Sequence, residues 1–374
     1  MLKIVQHYKT QIEGLDIHYI HIKPAAGAKT VYPLLLVHGW PGSIVEFTKV
    51  IPLLSTPIDG VAFELIIPSL PGYGWSEGSH RPGLNLIHVA RIFGKLMTRV
   101  GHEFFYYHGG DWGNAIGKAI GTLEPSRVQG LHLSGAVAKV TLYSAAKIAI
   151  GSILPSLVYT QDEDYASMHP ISSKITFMLR EMGYLHLQAT KPDTIGAALS
   201  DSPTGLAAYI IEKFSSWTNK TYIDLPDGGI TQKFSLDDLL TNVMVYWTTN
   251  TITSSQRFYK ENLGKFLLQH FFLLLISGFL GDHVQNELNF LRVAVHEQVP
   301  VGFAAFPGDM LNMPQTLLHE VYWNITQYHH MPRGGHFAAL EEPQLVADDI
   351  RLFVKNTFLI SRSRKLNSFN RNLG

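Results

Sequence analysis

The stretch from Phe104 to Asn114, FFYYHGGDWGN, decides the fold of this chain. Its first half is aromatic and strand-like, and the residues that follow it, 112–123, carry small side chains suited to a closely packed helix. Between the two lies a G-x-D-x-G pattern, from Gly109 to Gly113. The pattern predicts a sharp turn from strand to helix that presents the side chain of Asp111 at its tip.

Short apolar runs alternate with amphipathic segments on both sides of this turn, and a hairpin is predicted ahead of them at Thr10–Lys23, around Glu13-Gly14. Such alternation predicts a mostly parallel, twisted sheet covered by helices on both faces. The predicted strands are Tyr32–Val37, Phe63–Pro68, Phe104–Tyr107 and Gly130–Leu133, and the predicted helices are Val45–Leu54, Asn85–Val100 and 112–123.

The rhythm changes after Val137, where helical patterns replace the alternation. We therefore predict a core formed by residues 1–137 and 262–374, with an inserted helical cap at 138–261. Within the second core segment the predicted elements are strands at Val301–Phe306 and Ile325–His329 and a final helix at Pro343–Phe358. The polar tail from Ser361 predicts disorder.

Composition excludes several function classes. The chain of 374 residues has 30 basic and 30 acidic residues and no basic block, so nucleic acid is not an expected partner. It has no cysteine, which rules out disulfides and thiolate nucleophiles. No signal peptide or N-terminal anchor is visible in the sequence.

The most apolar run, residues 266–280, belongs to a segment, 265–297, that we interpret as an atypical insertion. The run is shorter than the roughly 18 residues needed to span a bilayer, so a buried or interfacial helix is the preferred interpretation.

Asp111 needs a base and an acid to orient that base, and in α/β-hydrolases the three follow in the order nucleophile, acid, base. Asp309 lies just past the predicted strand Val301–Phe306, and His336 lies in a glycine-flanked loop after the last strand. Order and placement together predict an Asp111–Asp309–His336 triad in an α/β-hydrolase fold with an inserted helical cap.

A predicted oxyanion hole completes the site. His38-Gly39-Trp40-Pro41 ends an apolar strand, where backbone N–H groups can face the nucleophile, and Trp112 directly follows Asp111. A plain turn would also use glycine and proline, but the G-x-D-x-G pattern downstream favours the functional interpretation.

An aspartate at the tip implies a substrate different from that of an esterase. A carboxylate can displace a leaving group from saturated carbon and form an alkyl ester on the enzyme. Water activated by His336 then opens this ester. Two electrophiles fit at this stage, an epoxide or an alkyl halide.

The chain resembles the microsomal epoxide hydrolase family, which includes the insect juvenile hormone epoxide hydrolases, from about Val5 to Phe358. The matching stretches, in order, are HGWPGS, LPGYGWSEG, GGDWG, KPDTIGAALSDSPTGLAAYIIEKFSSWTN, FSLDDLLTNVMVYWTTNTITSSQRFYKENLG and RGGHFAALEEP. The resemblance implies that the chain converts lipophilic epoxides, either juvenile hormone-like or xenobiotic, to diols, with water as the other substrate and without a cofactor. It also implies that two cap tyrosines, Tyr184 and Tyr259, donate hydrogen bonds to the epoxide oxygen.

The resemblance further implies a location at the endoplasmic reticulum, with possible contact to the membrane surface. Family members usually carry an N-terminal segment with a membrane anchor, and we expect this chain to lack it. Apolar cap residues such as Phe177, Leu185 and Trp217 suit a lipophilic substrate.

Two alternatives stay open from the residues. In a haloalkane dehalogenase, the indole N–H of Trp112 would bind the halide, and a second indole or asparagine nearby would favour that activity. A hormone-binding homologue without catalysis is the other alternative, although all five catalytic positions hold competent residues. No H-E-x-x-H pattern occurs in the sequence, so a catalytic metal is not predicted.

Overall fold

The computed structural model describes residues 5–135, 141–264, 293–310 and 312–371. Eight strands form one sheet in the order β1-β2-β4-β3-β5-β6-β7-β8. The first two strands and β4 are joined by antiparallel pairings, and every other neighbouring pair is parallel. Their bounds are β1 His7–Ile12, β2 Leu15–Ile22, β3 Thr30–Val37, β4 Val61–Pro68, β5 Phe105–Gly109, β6 Val128–Ser134, β7 Val301–Ala305 and β8 Ile325–His330.

The helices of the core lie between and after these strands. They are α1 Val50–Ser55, α2 Leu86–Arg99, α3 Trp112–Leu123 and, after β7, α12 Gln315–Leu318, α13 Ala338–Glu341 and α14 Pro343–Arg371. The side chain of Asn85 caps α2 by accepting hydrogen bonds from the amides of Ile87 and His88. The mostly parallel sheet and its helices confirm the predicted α/β-hydrolase fold.

Between β6 and β7, the described residues form helices and one isolated β-bridge, from Val295 to Tyr322. The α-helices are α4 Leu142–Ile153, α5 Asp162–Met168, α6 Ile171–Glu181, α7 Gly183–Thr190, α8 Pro192–Asp201, α9 Pro203–Ser216, α10 Leu236–Thr249 and α11 Ile252–Tyr259. The bounds that separate cap from core stay a prediction.

Strand register brings the predicted site to one edge of the sheet. Val37 at the end of β3 pairs with Gly109 at the end of β5, so the two following loops lie side by side. Ala305 at the end of β7 pairs with His330 at the end of β8, which places the loops bearing the acid and the base together. These four strands are parallel, so the four loops that follow them all lie at the carboxyl ends of the strands, where open α/β sheets bind ligands.

Two predicted elements differ from the structure. The predicted helix Val45–Leu54 is divided into a 3₁₀ turn at Ile44–Phe47 and α1, because Ser43 caps the turn at Val45 while the helical bonds start again later. The final helix continues through the polar tail to Arg371, so the prediction of disorder from Ser361 to that residue was wrong. The apolar run 266–280 and most of the segment 265–297 lie outside the described residues.

Candidate active site

Asp111 occupies a strained turn between β5 and α3. Its backbone has φ of 50° and ψ of −125°, a conformation that non-glycine residues rarely adopt. The hydroxyl of Tyr107 on β5 donates a hydrogen bond of 2.5 Å to the carbonyl of Gly113, which closes the turn. The carboxylate therefore lies at the carboxyl end of β5 and at the N-terminal end of α3, where negative charge is favoured.

The glycines of the pattern are required by close backbone contacts. A Cβ at Gly113 would lie 2.1 Å from the carbonyl oxygen of Val37, and a Cβ at Gly109 would lie 2.7 Å from the carbonyl carbon of Gly113. Gly39, on the loop after β3, approaches the nucleophile just as closely, since its Cβ would lie 2.2 Å from Oδ1 of Asp111. Any larger side chain at these three positions would force the elbow and the neighbouring loop apart.

We expect Gly113→Ala to lower the free energy of unfolding by about 2–3 kcal/mol, because backbone atoms of β3 cannot move aside without disturbing the sheet. Gly110→Ala is the matched control, since its Cβ would lie 3.5 Å from the nearest atom, in Ser134, at ordinary contact distance. Urea denaturation of both variants checks the expectation. Equal stability of the two would contradict the packing described for this turn.

The predicted oxyanion hole lies on the loop after β3. The backbone amide of Trp40 donates a 2.8 Å hydrogen bond to Oδ1 of Asp111. Trp112 is the first residue of α3, so its amide has no acceptor within the helix and is available as a second donor. Oδ1 is therefore the oxygen held by the amide of Trp40.

His38 supports this loop from behind, and its side chain faces backbone groups. Its Nδ1 lies 2.9 Å from the carbonyl oxygen of Gly39, and its Nε2 lies 3.2 Å from the amide of Leu70, which donates to it. Burial lowers the pKa of His38 to about 4, so the ring is neutral and carries its proton on Nδ1. The imidazole thus positions the predicted His38-Gly39-Trp40-Pro41 loop.

Two residues of the cap helix α10 also hold this loop, and the sequence did not reveal them. The amide of Asn242 donates to the carbonyl of Pro41 at 2.8 Å, and the hydroxyl of Tyr246 donates to the carbonyl of Gly42 at 2.6 Å. Asn242 and Tyr246 are four residues apart and so share one helix face. That spacing was the one available signal, and it also occurs by chance.

His336 contacts both predicted carboxylates. Its Nδ1 lies 2.9 Å from Oδ1 of Asp309, and its Nε2 lies 3.6 Å from Oδ2 of Asp111. Burial opposes a charge on the ring, but the carboxylates of Asp309 and Asp111 outweigh it and raise the pKa of His336 well above its usual value. The three residues predicted from order and placement come together in the geometry of a triad.

The loop of His336 is fixed by backbone hydrogen bonds. The amide of His336 donates to the carbonyl of Trp217 at 2.9 Å, and the amide of Gly335 donates to a carboxylate oxygen of Glu341 at 2.8 Å. The ring of Trp217 packs edge-on against the imidazole, with centroids 4.9 Å apart. The cap and α13 therefore both orient His336.

Tyr184 and Tyr259 come from different cap helices and meet opposite the elbow. Their rings lie 5.8 Å apart, and Trp40 packs against both, at 5.0 Å from Tyr184 and 5.9 Å from Tyr259. Burial, and after it the neighbouring charge of Asp111, raises the pKa of Tyr184 well above 10. Burial also raises the pKa of Tyr259, with contributions from Tyr184 and Asp111. Both phenols therefore keep their protons at neutral pH and can donate them.

Other cap residues named from the sequence also reach this region. Phe177 and Leu185 pack, partly buried, against the same apolar cluster as the two tyrosines. The indole N–H groups of Trp40, Trp112 and Trp217 are buried, and none of them has a hydrogen-bond partner among the described residues. Donors of both predicted kinds, phenol and indole, thus surround Asp111.

Known proteins resemble this chain along most of its length. The family described as alpha/beta hydrolase fold matches residues 32–279, and the family described as epoxide hydrolase N terminus matches residues 1–47. Epoxide hydrolase 1 of Sus scrofa is 48% identical over 355 residues, which cover 93% of this chain and 74% of that protein. Juvenile hormone epoxide hydrolase 1 of Ctenocephalides felis is 45% identical over 358 residues, 95% of this chain and 72% of that protein.

Solved structures give the same result. The crystal structure of juvenile hormone epoxide hydrolase from the silkworm Bombyx mori has a TM-score of 0.86 and 37% identity, covering 96% of this chain and 80% of the other. The epoxide hydrolase of Aspergillus niger has a TM-score of 0.70 and 27% identity, covering 95% of this chain and 80% of the other.

Fold and site define an α/β-hydrolase that presents an aspartate, Asp111, at the turn between β5 and α3. Within that class, the chain belongs to the epoxide hydrolase family, and its activity is epoxide hydrolysis.

Proposed function

We propose that this epoxide hydrolase converts lipophilic epoxides to vicinal diols through an ester on Asp111. One observation carries the proposal: the two oxygens of Asp111 have different surroundings. Oδ1 accepts the hydrogen bond from the Trp40 amide, whereas Oδ2 faces His336 at 3.6 Å. Oδ2 is therefore the attacking oxygen, and Oδ1 becomes the carbonyl oxygen of the ester.

In the first step, Oδ2 attacks an epoxide carbon and forms the C–O bond of the ester while the ring C–O bond breaks. The departing oxygen receives hydrogen bonds from Tyr184 and Tyr259 and takes a proton from one of them. Neutral donors suit this step because they stabilise the developing negative charge without a charge of their own.

In the second step, His336 takes a proton from water as the water oxygen attacks Cγ of Asp111. The negative oxygen of the tetrahedral intermediate is Oδ1, which the Trp40 amide already binds. Collapse of the intermediate breaks the bond from Cγ to the alkyl oxygen and releases the diol with the proton from His336. Asp111 then ionises, and its proton, passed through solvent, restores the tyrosine that gave its own proton in the first step.

Ester formation itself prepares His336 for this role. Asp111 raises the pKa of His336 by its charge and by hydrogen bonding, and the ester removes that negative charge. The pKa of His336 is therefore lower in the ester than in the resting enzyme, which frees the ring to act as a base. Asp309 remains beside Nδ1 to stabilise the imidazolium as it forms.

The aromatic surroundings support a lipophilic substrate. Aromatic rings pack against one another around the triad and the two phenols. They belong to Trp40, Trp112, Tyr184, Trp217 and Phe258. Epoxides on long apolar chains, as in juvenile hormone-like compounds, and aromatic xenobiotic epoxides both match this lining. The names of the insect relatives support the first group.

Haloalkane dehalogenation is the second candidate, because the indole N–H groups of Trp40 and Trp112 are unpartnered and lie near Asp111. Parallel assays distinguish epoxide hydrolysis from haloalkane dehalogenation. They use styrene oxide and a longer terminal epoxide as the epoxides and 1-bromohexane as the alkyl halide. We expect diol from both epoxides, faster from the longer one, and no bromide. Release of bromide without diol would contradict the proposal, and absence of every product from folded protein would favour the non-catalytic homologue.

We expect Tyr184→Phe and Tyr259→Phe each to lower kcat for the epoxide about 10- to 100-fold, since each removes one hydrogen bond to a charged oxygen. Tyr209→Phe is the control, because its ring also packs against Trp40 but its hydroxyl accepts from Gln188. Steady-state diol formation measures all three variants. Loss of activity in Tyr209→Phe alone would contradict the assigned donors.

We also propose contact with a membrane surface. Apolar side chains on α4, the turn after it and α6 are largely exposed, including Ile153 at 81%, Leu157 at 71% and Leu179 at 78%. Among the residues described, no helix has the length and apolar character needed to cross a bilayer. Location at the endoplasmic reticulum stays a proposal drawn from the family resemblance, and sedimentation with lipid vesicles tests the surface contact.

A further inference from the structure

We propose that Glu46 binds the water that hydrolyses the Asp111 ester and shares this water with His336. The inference rests on the two-step reaction proposed above and adds a residue to its second step. Glu46 lies in the 3₁₀ turn Ile44–Phe47, directly after the loop that provides the oxyanion hole.

The carboxyl group of Glu46 folds back onto that loop. A Cβ at Gly42 would lie 1.3 Å from Oε1 of Glu46 and 2.5 Å from its Cδ. Three residues earlier, a Cβ at Gly39 would lie 2.2 Å from Oδ1 of Asp111. Two glycines of one short loop thus leave room for two carboxyl groups, one of which is the nucleophile.

Three ionisable groups interact with Glu46, and two of them belong to the triad. Burial raises the pKa of Glu46 to about 8, His336 lowers it and Asp111 raises it. The third group is Tyr246, whose pKa Glu46 raises and whose hydroxyl bonds the carbonyl of Gly42. Glu46 is therefore close enough to feel the charges of both the nucleophile and the base.

The side chain of Glu46 is partly buried. Protein atoms surround its carboxyl group, yet part of the side chain remains accessible, as does 15% of the Asp111 side chain. Buried carboxyl groups require hydrogen-bond partners, and a water held between Glu46 and Asp111 would be such a partner for Glu46.

The chemistry of ester hydrolysis needs such a group. The attacking water gives one proton to Nε2 of His336, and a carboxylate that accepts a hydrogen bond from its other O–H fixes the direction of attack on Cγ of Asp111. That second hydrogen stays on the attacking oxygen until the regenerated Asp111 ionises and releases it to solvent. Ester formation removes the Asp111 charge that raises the pKa of Glu46, and the positive charge that forms on His336 as it takes the proton lowers that pKa, so both changes favour the accepting carboxylate in this step.

The test separates the two steps in the full chain. In single turnovers with a lipophilic epoxide, epoxide consumption reports formation of the ester and diol appearance reports its hydrolysis. We expect Glu46→Gln to slow ester hydrolysis about 10- to 100-fold and to leave ester formation within about 3-fold of wild type. Glu64→Gln is the control, since Glu64 lies on β4 and bonds His21 at 2.6 Å, away from the triad.

Glu46→Asp covers the case in which the first variant does not fold. It keeps the charge but withdraws the carboxylate by one methylene, and we expect a smaller slowing of the same step. Hydrolysis at the wild-type rate in either variant, or equal slowing of both steps, would overturn the role of Glu46 while leaving the ester mechanism intact. Absence of the ester in wild type would instead overturn the proposed reaction itself.

Discussion

Asp111→Ala is expected to lower kcat for epoxide hydrolysis by a factor on the order of 10⁴ or more, because it removes the atom that forms the bond to the substrate. Asp309 cannot replace it, because Asp309 is already paired with Nδ1 of His336, whereas Asp111 lies beside Nε2 and accepts the hydrogen bond of the Trp40 amide. Steady-state diol formation from a terminal epoxide gives the measurement.

The change should leave the fold intact. Alanine is smaller than aspartate, so it introduces no new contact at position 111. The close packing of Gly39 and Gly113 around this turn therefore stays in place. Asp348→Ala is the matched control, because Asp348 is exposed on α14. Activity within about 10-fold of wild type in a folded Asp111→Ala protein would contradict its assignment as nucleophile.

His336→Gln is expected to separate the two halves of the reaction. Ester formation needs Oδ2 of Asp111 and the two phenols, whereas ester hydrolysis needs a base at Nε2. The variant should therefore consume about one equivalent of epoxide per active site and then stop, with ester hydrolysis slowed about 1000-fold. Rapid-quench analysis of epoxide and diol, together with the mass of the intact protein, detects the trapped ester.

His319→Gln provides the control for this experiment, since His319 is exposed on the surface. It should turn over as wild type does. Continuous turnover by His336→Gln near the wild-type rate would show that another group activates water, and complete loss of epoxide consumption in the folded variant would show that His336 acts in the first step.

The elbow and the triad could be predicted from the sequence because their signals are local. A turn that must bring Gly113 within contact of β3 allows few residues, and helix α3 was predicted at 112–123, where it lies. Asp309 and His336 each follow a strand that could be recognised, and parallel strands direct such loops to one edge. The order of the strands and loops along the chain was therefore enough to predict that Asp111, Asp309 and His336 lie close together.

The cap could not be predicted in the same way. The chain has sixteen tyrosines, and only the family resemblance selected Tyr184 and Tyr259. Their convergence on Trp40 depends on how α7 and α11 pack, which no local pattern encodes. The hydrogen bonds of Asn242 and Tyr246 to the oxyanion loop join residues about 200 positions apart, so they became visible only in the structure.

Glu46 illustrates the same limit within the core. Its position after HGWPGS predicted an ordinary helical residue, because the sequence does not show that the side chain folds back over Gly42. The division of the predicted helix at Val45–Leu54 into a 3₁₀ turn and α1 fixes the backbone from which Glu46 projects.

A single turnover in oxygen-18 water tests the central claim most directly. Excess enzyme reacts once with a lipophilic epoxide, and mass spectrometry then examines the peptide that contains Asp111. The ester mechanism predicts oxygen-18 in the Asp111 carboxylate, because water attacks Cγ, and predicts that the diol carries the original aspartate oxygen. Diol that contains the solvent oxygen, with no label in the Asp111 peptide, would mean that water attacks the epoxide directly and would contradict the covalent mechanism.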